Sequence, residues 1–378
     1  MKIWNALLGL FCLVLTGPAA AALPVPPAPA LEARAWLLLD VQSGQTLAAR
    51  NPDARIEPAS LTKLMTAYIV FSALRDGRLA LNQPLVVSEK AWRTEGSRMF
   101  LDPKRPVLVE DLLKGMIVQS GNDACIVLAE AIAGSEDGFA ALMNQTARRL
   151  GMSQTRFVNA TGLPHPQHYS TARDLARLST ALIRDFPEFY KLYAMKEYTY
   201  NGIKQPNRNR LLWLDPNVDG VKTGHTESAG YCLIASSQRD QRRLLSVVVG
   251  TSSDAARAME SQKLLNYGFQ FFETARLYSA NQAVARIRIY KGSSNEVQAG
   301  FQQDFYVTVP RGSANRIKAE LHFTNPMLAP VSRGQKVANL RLSLDGQPLG
   351  DFPLVALQGV SVANIIGRGW DSLLLLFK

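Results

Sequence analysis

The spacing of apolar residues changes from a strand pattern to a helical pattern near the start of the chain. Residues 35–51, AWLLLDVQSGQTLAARN, predict two strands joined by a turn at Ser43-Gly44. Over residues 61–74 the apolar positions recur at helical spacing. This pattern predicts a helix that begins at Ser60, whose hydroxyl is a candidate cap for the first backbone N–H groups.

Further helices are predicted in the middle of the chain, followed by strands. One helical stretch covers residues 110–132 with an interruption at QSGND, a second runs from Ser135 to Gly151, and a third from Ser170 toward Phe186. The segments GVKTG, YCLIASSQ and LLSVVVGTS predict adjacent antiparallel strands before a last helix near residues 255–272. Strands at both ends with helices between them predict an α/β (α+β) fold, in which one antiparallel sheet pairs its first and last segments and has helices on both faces.

From about residue 280 the pattern becomes purely period two. The segments AVARIRIY, DFYVTVP, RIKAELHFT and ANLRLSL alternate apolar and polar positions and are separated by Gly, Ser, Asn and Pro. This predicts a small all-β domain. We therefore expect a leader at residues 1–22, a mixed domain at 23–278, the all-β domain at 279–360 and an amphipathic C-terminal segment at 361–378.

The N-terminus has the features of a secretory signal peptide. It contains one lysine, an apolar run from Ala6 to Leu15, a Gly17-Pro18 break and small residues up to Ala22. The apolar core is too short to be a good membrane span. The protein is therefore expected to be exported.

Composition limits the classes of function. The chain has 42 Lys and Arg against 31 Asp and Glu, but without basic blocks or interleaved aromatic residues, so we expect a solvated basic surface and no nucleic-acid partner. There is no zinc-ligand spacing and no phosphate-binding glycine loop.

His165 and His168, in a loop with two prolines, are expected to be structural. Beyond the leader, Cys125 and Cys232 are favoured as buried thiols, although a disulfide between them stays open.

One charged residue in the predicted Ser60 helix occupies an unfavourable position. Lys63 lies in the first turn, where a capping box would have Glu or Gln, and faces the positive end of the helix dipole at a cost of up to ~1 kcal/mol. Ser60 and Lys63 share a helix face because they are three residues apart. Burial and a helix N-terminus lower the pKa of a lysine, so this position favours the neutral amine that could activate a serine.

A Ser-x-x-Lys pair alone is weak evidence, because about one match is expected by chance in a chain of this length. Here it is followed by SGN at Ser120–Asn122, inside a helical stretch, and by KTG at Lys222–Gly224, in a predicted strand. Other S-x-N matches occur at Ser293 and Ser313, so the place of the motif matters. In this order and context the three motifs are the set typical of penicillin-binding proteins and β-lactamases.

The chain resembles the low-molecular-mass penicillin-binding proteins of the D-alanyl-D-alanine carboxypeptidase type. The resemblance extends from about Ala35 to the C-terminus and includes IEPASLTKLMTAY, MIVQSGNDAC, NATGLPHPQHYSTARDLA, NVDGVKTGHTESAGYCL and ESQKLLNYGFQFFET. It implies a β-lactamase/transpeptidase-like catalytic domain, removal of the terminal D-alanine from peptidoglycan stem peptides, covalent binding of β-lactam antibiotics, and no metal or organic cofactor.

The resemblance also implies roles for the residues of the first two motifs. Ser60 would attack the carbonyl of the penultimate D-alanine, and Lys63 would take its proton. Ser120 would relay a proton toward the leaving amine. Asn122 would bind the substrate amide and hold Lys63.

The third motif and its surroundings would bind the end of the substrate. Lys222 would supply a second cation and, with Thr223, face the terminal carboxylate, while Gly224 would let the substrate backbone lie against the strand. The backbone N–H groups of His225 and of the nucleophile would form the oxyanion hole, and the imidazole is expected only to shape the pocket. For Arg257, support of the carboxylate and a surface ion pair are both open.

The C-terminal sequence ANIIGRGWDSLLLLFK is amphipathic on a helical wheel and too short to span a bilayer. It resembles the anchor that family members often have beside a β-rich stalk, which implies peripheral attachment at the periplasmic face of the inner membrane. Gly367 and Gly369 each lower its helix propensity by ~1 kcal/mol. A terminal helix packed on the β domain is the alternative.

Three other functions could use similar machinery. One large class of β-lactamase has a Glu-x-x-Leu-Asn element, and two Leu-Asn pairs here have Arg78 and Gln262 in place of the glutamate. A D,D-endopeptidase that cuts cross-links stays open, although such family members tend to lack the stalk domain. The complete motif set argues against a penicillin-sensing module without turnover.

Overall fold

The first part of the molecule is built on one antiparallel sheet. The computed structural model describes residues 25–364, so the predicted leader and most of the segment 361–378 lie outside the described residues. The strands of this part are β1 (Ala35–Asp40), β2 (Thr46–Arg50), β3 (Pro84–Leu85), β4 (Val107–Leu108), β5 (Glu197–Tyr200), β6 (Ile203–Pro206), β7 (Val218–Thr226), β8 (Gly230–Arg239) and β9 (Arg242–Thr251). Five of them form a sheet in the order β2-β1-β9-β8-β7, so the predicted pairing of the first and last segments is confirmed.

The central strands are buried on both faces, which explains their continuous apolar sequences. Side chains along a strand point alternately to opposite faces. In β9, Val247 and Val249 therefore pack in one core, while Leu244 and Val248 pack in the core on the other side.

Helices cover both faces of this sheet. They are α1 (Lys63–Arg75), α2 (Glu89–Arg93), α3 (Val109–Lys114), α4 (Asn122–Ala133), α5 (Glu136–Arg149), α6 (Ala172–Asp185), α7 (Pro187–Tyr190), α8 (Leu211–Leu214) and α9 (Asp254–Phe271). Residues of α1, α4 and α6 form the core on one face, and residues of α8 and α9 form the core on the other. The predicted α/β (α+β) architecture is thus confirmed.

Two predicted helix starts are wrong. Ser60 does not cap a helix: residues 59–62 form a 3₁₀ turn, α1 begins at Lys63, and the serine hydroxyl accepts a hydrogen bond from the Lys63 amine. The cap of α6 is Thr171, whose hydroxyl accepts from a backbone N–H in the first turn. Ser170 cannot take this place because its backbone pairs with Ile56 in a β-bridge.

The second part of the molecule consists of strands, as predicted. They are β10 (Phe272–Tyr278), β11 (Ala283–Tyr290), β12 (Glu296–Gly300), β13 (Phe305–Pro310), β14 (Ile317–His322), β15 (Met327–Leu328), β16 (Lys336–Leu344) and β17 (Gln347–Ala356). β10 pairs with β13, and the others form a six-stranded sheet in the order β14-β16-β17-β12-β11-β15. The inward-facing positions of the period-two pattern, such as Ile287 and Val297, form a separate core. The domain boundary at residue 278 stays a prediction.

A buried polar cluster joins the two parts. Asp40, at the end of β1, is fully buried, and one of its carboxylate oxygens accepts hydrogen bonds from Arg242 Nε (2.9 Å) and Thr274 Oγ1 (2.5 Å). In the turn after β1, Ser43 Oγ lies 2.7 Å from Thr308 Oγ1 on β13. These contacts hold the turn between β1 and β2 against the β10–β13 pair.

Candidate active site

The three sequence motifs meet at one cleft, which has a volume of ≈ 760 Å³. Ser60 lies partly exposed in its wall. The other lining residues come from the SGN and KTG motifs and the end of β7, from the loops after α2 and before α6, from the β6–α8 loop, and from β8 and α9: Gly96, Ser97, Ser120, Asn122, Thr161, Gly162, Leu163, Pro206, Asn207, Arg208, Arg210, Thr223, Gly224, His225, Thr226, Tyr231, Asp254 and Arg257.

The turn that presents Ser60 is closely packed and strained. Ala59, the residue before it, is fully buried and has φ of 47°, a conformation that costs free energy for a residue with a side chain. A Cβ on Gly162 would lie 1.8 Å from the Ala59 carbonyl oxygen, and one on Gly224 would lie 3.2 Å from the Pro58 carbonyl oxygen. The KTG glycine therefore lets β7 pack against the serine turn, in addition to any role toward a substrate.

Lys63 is buried directly beneath the serine, with 1% of its surface exposed. Its Nζ donates to Ser60 Oγ at 2.9 Å and to the Thr161 carbonyl at 2.5 Å. Burial lowers the pKa of Lys63 to about 8; Cys125 opposes this change and the charge of Arg208 adds to it. About one tenth of the amine is therefore neutral at pH 7, far more than for an ordinary lysine.

A distorted helix presents the SGN motif. After α3 the chain forms a π-helical turn over residues 115–119, and Ser120 then adopts a left-handed conformation with φ of 68°. Because α4 starts at Asn122, the two polar side chains face the cleft from a break between helices. Asn122 Nδ2 donates to the Glu95 carbonyl at 2.6 Å, whereas the Thr161 carbonyl makes the contact to Lys63 that was expected of this asparagine.

Lys222 links the KTG strand to the SGN motif. Its Nζ donates to Ser120 Oγ and to the Thr223 carbonyl, both at 3.0 Å. Burial, reinforced by the nearby Lys63 charge, holds the pKa of Lys222 well below its usual range. The charge of Lys63 opposes protonation of Lys222, and the role of Lys222 as the second cation toward the substrate carboxylate stays a prediction.

Two arginines supply positive charge beside the cleft. Arg257 is buried, with 5% of its surface exposed, so it is not the surface ion pair considered from the sequence. It pairs with Asp254, and its guanidinium donates to the Gly224 carbonyl (3.1 Å) and the Arg208 carbonyl (3.4 Å), which braces two walls of the cleft. Arg208 lines the cleft itself, and its charge lowers the pKa values of Lys63 and Lys222.

Sequence reasoning missed Arg208, Thr161 and Tyr231 as cleft residues. The only cue to Arg208 is an arginine pair in QPNRNR, between β6 and α8. Thr161 acts through its backbone carbonyl, which no side-chain pattern can indicate. Tyr231 packs on His225 with ring centroids 4.0 Å apart, so the exposed imidazole forms part of the rim.

One predicted structural histidine and both predicted thiols are buried near the site or in the core. His168 is 2% exposed, and its Nε2 lies 2.7 Å from Thr62 Oγ1, which ties the loop before α6 to the serine turn. Cys125 and Cys232 are buried and free, as the favoured interpretation predicted. Among residues 25–364 there is no group of three or more His, Cys, Asp or Glu that could hold a metal ion.

Comparisons with known proteins identify the family. The model of the D-alanyl-D-alanine carboxypeptidase family matches residues 22–253, and the model of the penicillin-binding protein 5 C-terminal domain matches residues 272–361. The chain is 44% identical to the D-alanyl-D-alanine carboxypeptidase DacC of Escherichia coli over 93% of this chain and 90% of that protein.

Solved structures have the same fold. The penicillin binding protein 5 structure from Haemophilus influenzae is 41% identical and superposes with a TM-score of 0.86 over 89% of this chain and 99% of that chain. Penicillin-binding protein D2 of Listeria monocytogenes, solved in an ampicillin-bound form, is 34% identical, with a TM-score of 0.60 over 65% of this chain and 100% of that chain. The chain therefore belongs to the D-alanyl-D-alanine carboxypeptidase family.

Proposed function

We propose that this protein removes the terminal D-alanine from peptidoglycan stem pentapeptides through an acyl-enzyme on Ser60. The observation that supports this most directly is the 2.9 Å hydrogen bond between the Ser60 hydroxyl and the buried Lys63 amine. An amine with a pKa of about 8 can accept the serine proton near neutral pH, whereas an ordinary lysine is almost fully protonated there.

The first step is acylation. Ser60 Oγ attacks the carbonyl carbon of the penultimate D-alanine while neutral Lys63 takes the hydroxyl proton. The carbonyl oxygen becomes an oxyanion, which we assign to the backbone N–H groups of Ser60 and His225; such donors contribute ~3 kcal/mol each to the transition state. The packing of Gly224 against residues 58–61 supports this assignment because it brings the two backbones together.

Collapse of the tetrahedral intermediate breaks the peptide bond, and the leaving D-alanine amine needs a proton. The proton moves from Lys63 to this amine, with Ser120 and its partner Lys222 as the relay on the opposite wall. We assign the terminal carboxylate to Thr223 and the two guanidinium groups, Arg208 and Arg257, since arginine stays charged when partly buried. Asn122 is assigned to the substrate amide.

Water completes the reaction. It adds to the ester carbonyl, the ester bond to Ser60 breaks, the serine regains its proton, and the shortened peptide leaves. A β-lactam has a reactive amide in place of the terminal peptide bond, so it should acylate Ser60 and stay attached for longer. The ampicillin-bound form of the Listeria relative supports β-lactam binding by this chain.

The test is D-alanine release from a stem pentapeptide by residues 23–378, beside the Ser60→Ala variant. Serine-dependent release is the expected result. Cleavage of a cross-linked stem dimer without D-alanine release would favour the endopeptidase, and rapid penicillin hydrolysis would favour a β-lactamase. Covalent penicillin binding without any peptide cleavage would indicate a sensing module.

We further propose that the protein is exported and works at the periplasmic face of the inner membrane, attached peripherally through residues 361–378. The leader-like N-terminus and the amphipathic C-terminal sequence support this. Within residues 25–364 no helix has the length and apolar character that crossing a bilayer requires. Deletion of residues 364–378 should move the protein to the soluble periplasmic fraction, and unchanged sedimentation with membranes would contradict the attachment.

A further inference from the structure

Three segments of the second part converge where the described chain ends. β15 runs parallel to the end of β11, with Leu328 opposite Tyr290. A β-bridge then joins Gly292, just after β11, to Val362. We call this region the exit end, and it consists of residues 290–293, 327–330 and 361–364.

Large apolar side chains are exposed at and beside the exit end. Leu328 is 48% exposed and Val362 is 43% exposed, on either side of the turn after β11. Phe323, in the short connection between β14 and β15, is 44% exposed. The core of the second part therefore leaves these three side chains uncovered. Strand pairing places Leu328 and Val362 beside the end of β11, and Phe323 lies four residues before β15.

The charge around these side chains is positive. Residues 286–295, 321–344 and 352–364 contain no Asp or Glu. Arg288 is exposed and holds its guanidinium 4.9 Å from the centroid of the Tyr290 ring. The carboxylates that flank these segments are Glu296, Glu320, Asp345 and Asp351. An apolar surface with a basic surround complements the anionic headgroups and acyl boundary of a membrane.

We propose that the exit end is a second lipid-contacting surface, with Leu328 and Val362 inserted at the headgroup level. This inference rests on the peripheral attachment proposed above and adds folded residues to it. The sequence that leaves this surface, IIGRGWDSLLLLFK, is the amphipathic segment itself, so both elements would meet the same bilayer. One short anchor gives marginal binding, and a second contact makes the attachment stable.

A bilayer fits this surface better than a second protein chain does. A stable protein interface usually buries about 800 Å² on each partner, with a well-packed centre. Three apolar side chains, on β15, at the Val362 bridge and in the β14–β15 connection, cover far less surface than that. Insertion into a membrane needs only a few such side chains beside basic residues.

The test is co-sedimentation of residues 23–378 with vesicles of phosphatidylglycerol and phosphatidylethanolamine, and with pure phosphatidylcholine vesicles for comparison. The double variant Leu328→Ser and Val362→Ser should lower partition onto the anionic vesicles by about tenfold or more. The control is Val86→Ser, which removes an 80% exposed side chain from the first part and should leave partition unchanged.

Partition of the double variant equal to that of the unsubstituted protein would overturn the proposal, as would failure of the unsubstituted protein to bind anionic vesicles. A change in oligomeric state of the double variant at unchanged partition would also overturn it and assign the surface to a second copy. D-alanine release in solution should be the same for all of these variants, so a failure of the carboxypeptidase proposal is detected separately.

Discussion

Acylation should depend on pH through the amine of Lys63. A free lysine has a pKa of about 10.4, so at pH 7 only about 1 in 2,500 is neutral. With a pKa of about 8 the neutral share at pH 7 is about one tenth, a gain of roughly 200-fold that follows from burial beneath Ser60. Because the base acts in its neutral form, the rate should rise about tenfold per pH unit below pH 7.5 and level off above about pH 9.

The charge of Arg208 tests the cause of this low pKa. Its guanidinium disfavours a second positive charge at Lys63. In Arg208→Gln the protonated amine should become more favourable, so the pKa of Lys63 should rise and acylation at pH 7 should fall. Arg208→Lys keeps a positive charge and should bring the inflection back toward the original pH. Arg210→Gln is the matched control because Arg210 also lines the cleft but pairs with Asp254.

The assay is the second-order rate constant for labelling by a fluorescent penicillin between pH 6 and pH 9.5. Penicillin has no group that titrates in this range, so the profile reports the enzyme. The expected profile has a single inflection near pH 8 that moves upward in Arg208→Gln. A flat profile would refute the assignment of Lys63 as the base. An inflection at the same pH in Arg208→Gln, Arg208→Lys and Arg210→Gln would refute the assignment of Arg208 as the charge that lowers its pKa.

Other predictions concern the packing that supports the site. Gly162→Ala should abolish penicillin labelling and lower the melting temperature, since its Cβ would lie 1.8 Å from the Ala59 carbonyl oxygen. The control Gly151→Ala, at φ of 73° with open space around it, should lower the free energy of unfolding by only about 1 kcal/mol. Equal effects of the two substitutions would contradict the packing argument. His168→Ala should lower the free energy of unfolding by about 2–4 kcal/mol through a cavity and a lost hydrogen bond, whereas exposed His165→Ala should change it by less than about 0.5 kcal/mol in the same denaturant titration. Asp40→Ala should lower the free energy of unfolding by about 3 kcal/mol, because it leaves Arg242 without its carboxylate. An unchanged melting temperature would show that the polar cluster between the two parts contributes little to stability.

Much of the fold could be predicted because local patterns and burial agree. The apolar run LLSVVVGTS predicts a strand buried on both faces, and β9 is such a strand at the centre of the sheet. The hydroxyls of Ser135 and Thr171 cap helices within a residue of the predicted starts. The Ser60 turn could not be predicted as a 3₁₀ turn, because its conformation is imposed by residues distant in sequence, such as Gly162 and Gly224.

The motifs predicted that Ser60, Lys63, Ser120 and Lys222 belong to one site. In the structure a hydrogen bond joins Lys63 to Ser60, and another joins Lys222 to Ser120. The charge states of the side chains in the site were harder to predict from the sequence. Whether Lys222 is a cation depends on its burial and on the nearby Lys63 charge, which only the folded structure defines. Arg208 was not predicted for the same reason, because the sequence does not distinguish a loop arginine that lines a cleft from one on the open surface.

Covalent acylation of Ser60 is the step on which the proposed activity depends. The most direct measurement is the intact mass of residues 23–378 after brief exposure to penicillin G at pH 8, followed by peptide mapping. A mass increase of one penicillin per chain is expected on the peptide that contains Ser60, with no adduct in Ser60→Ala. An adduct on another residue, or one that persists in Ser60→Ala, would contradict it.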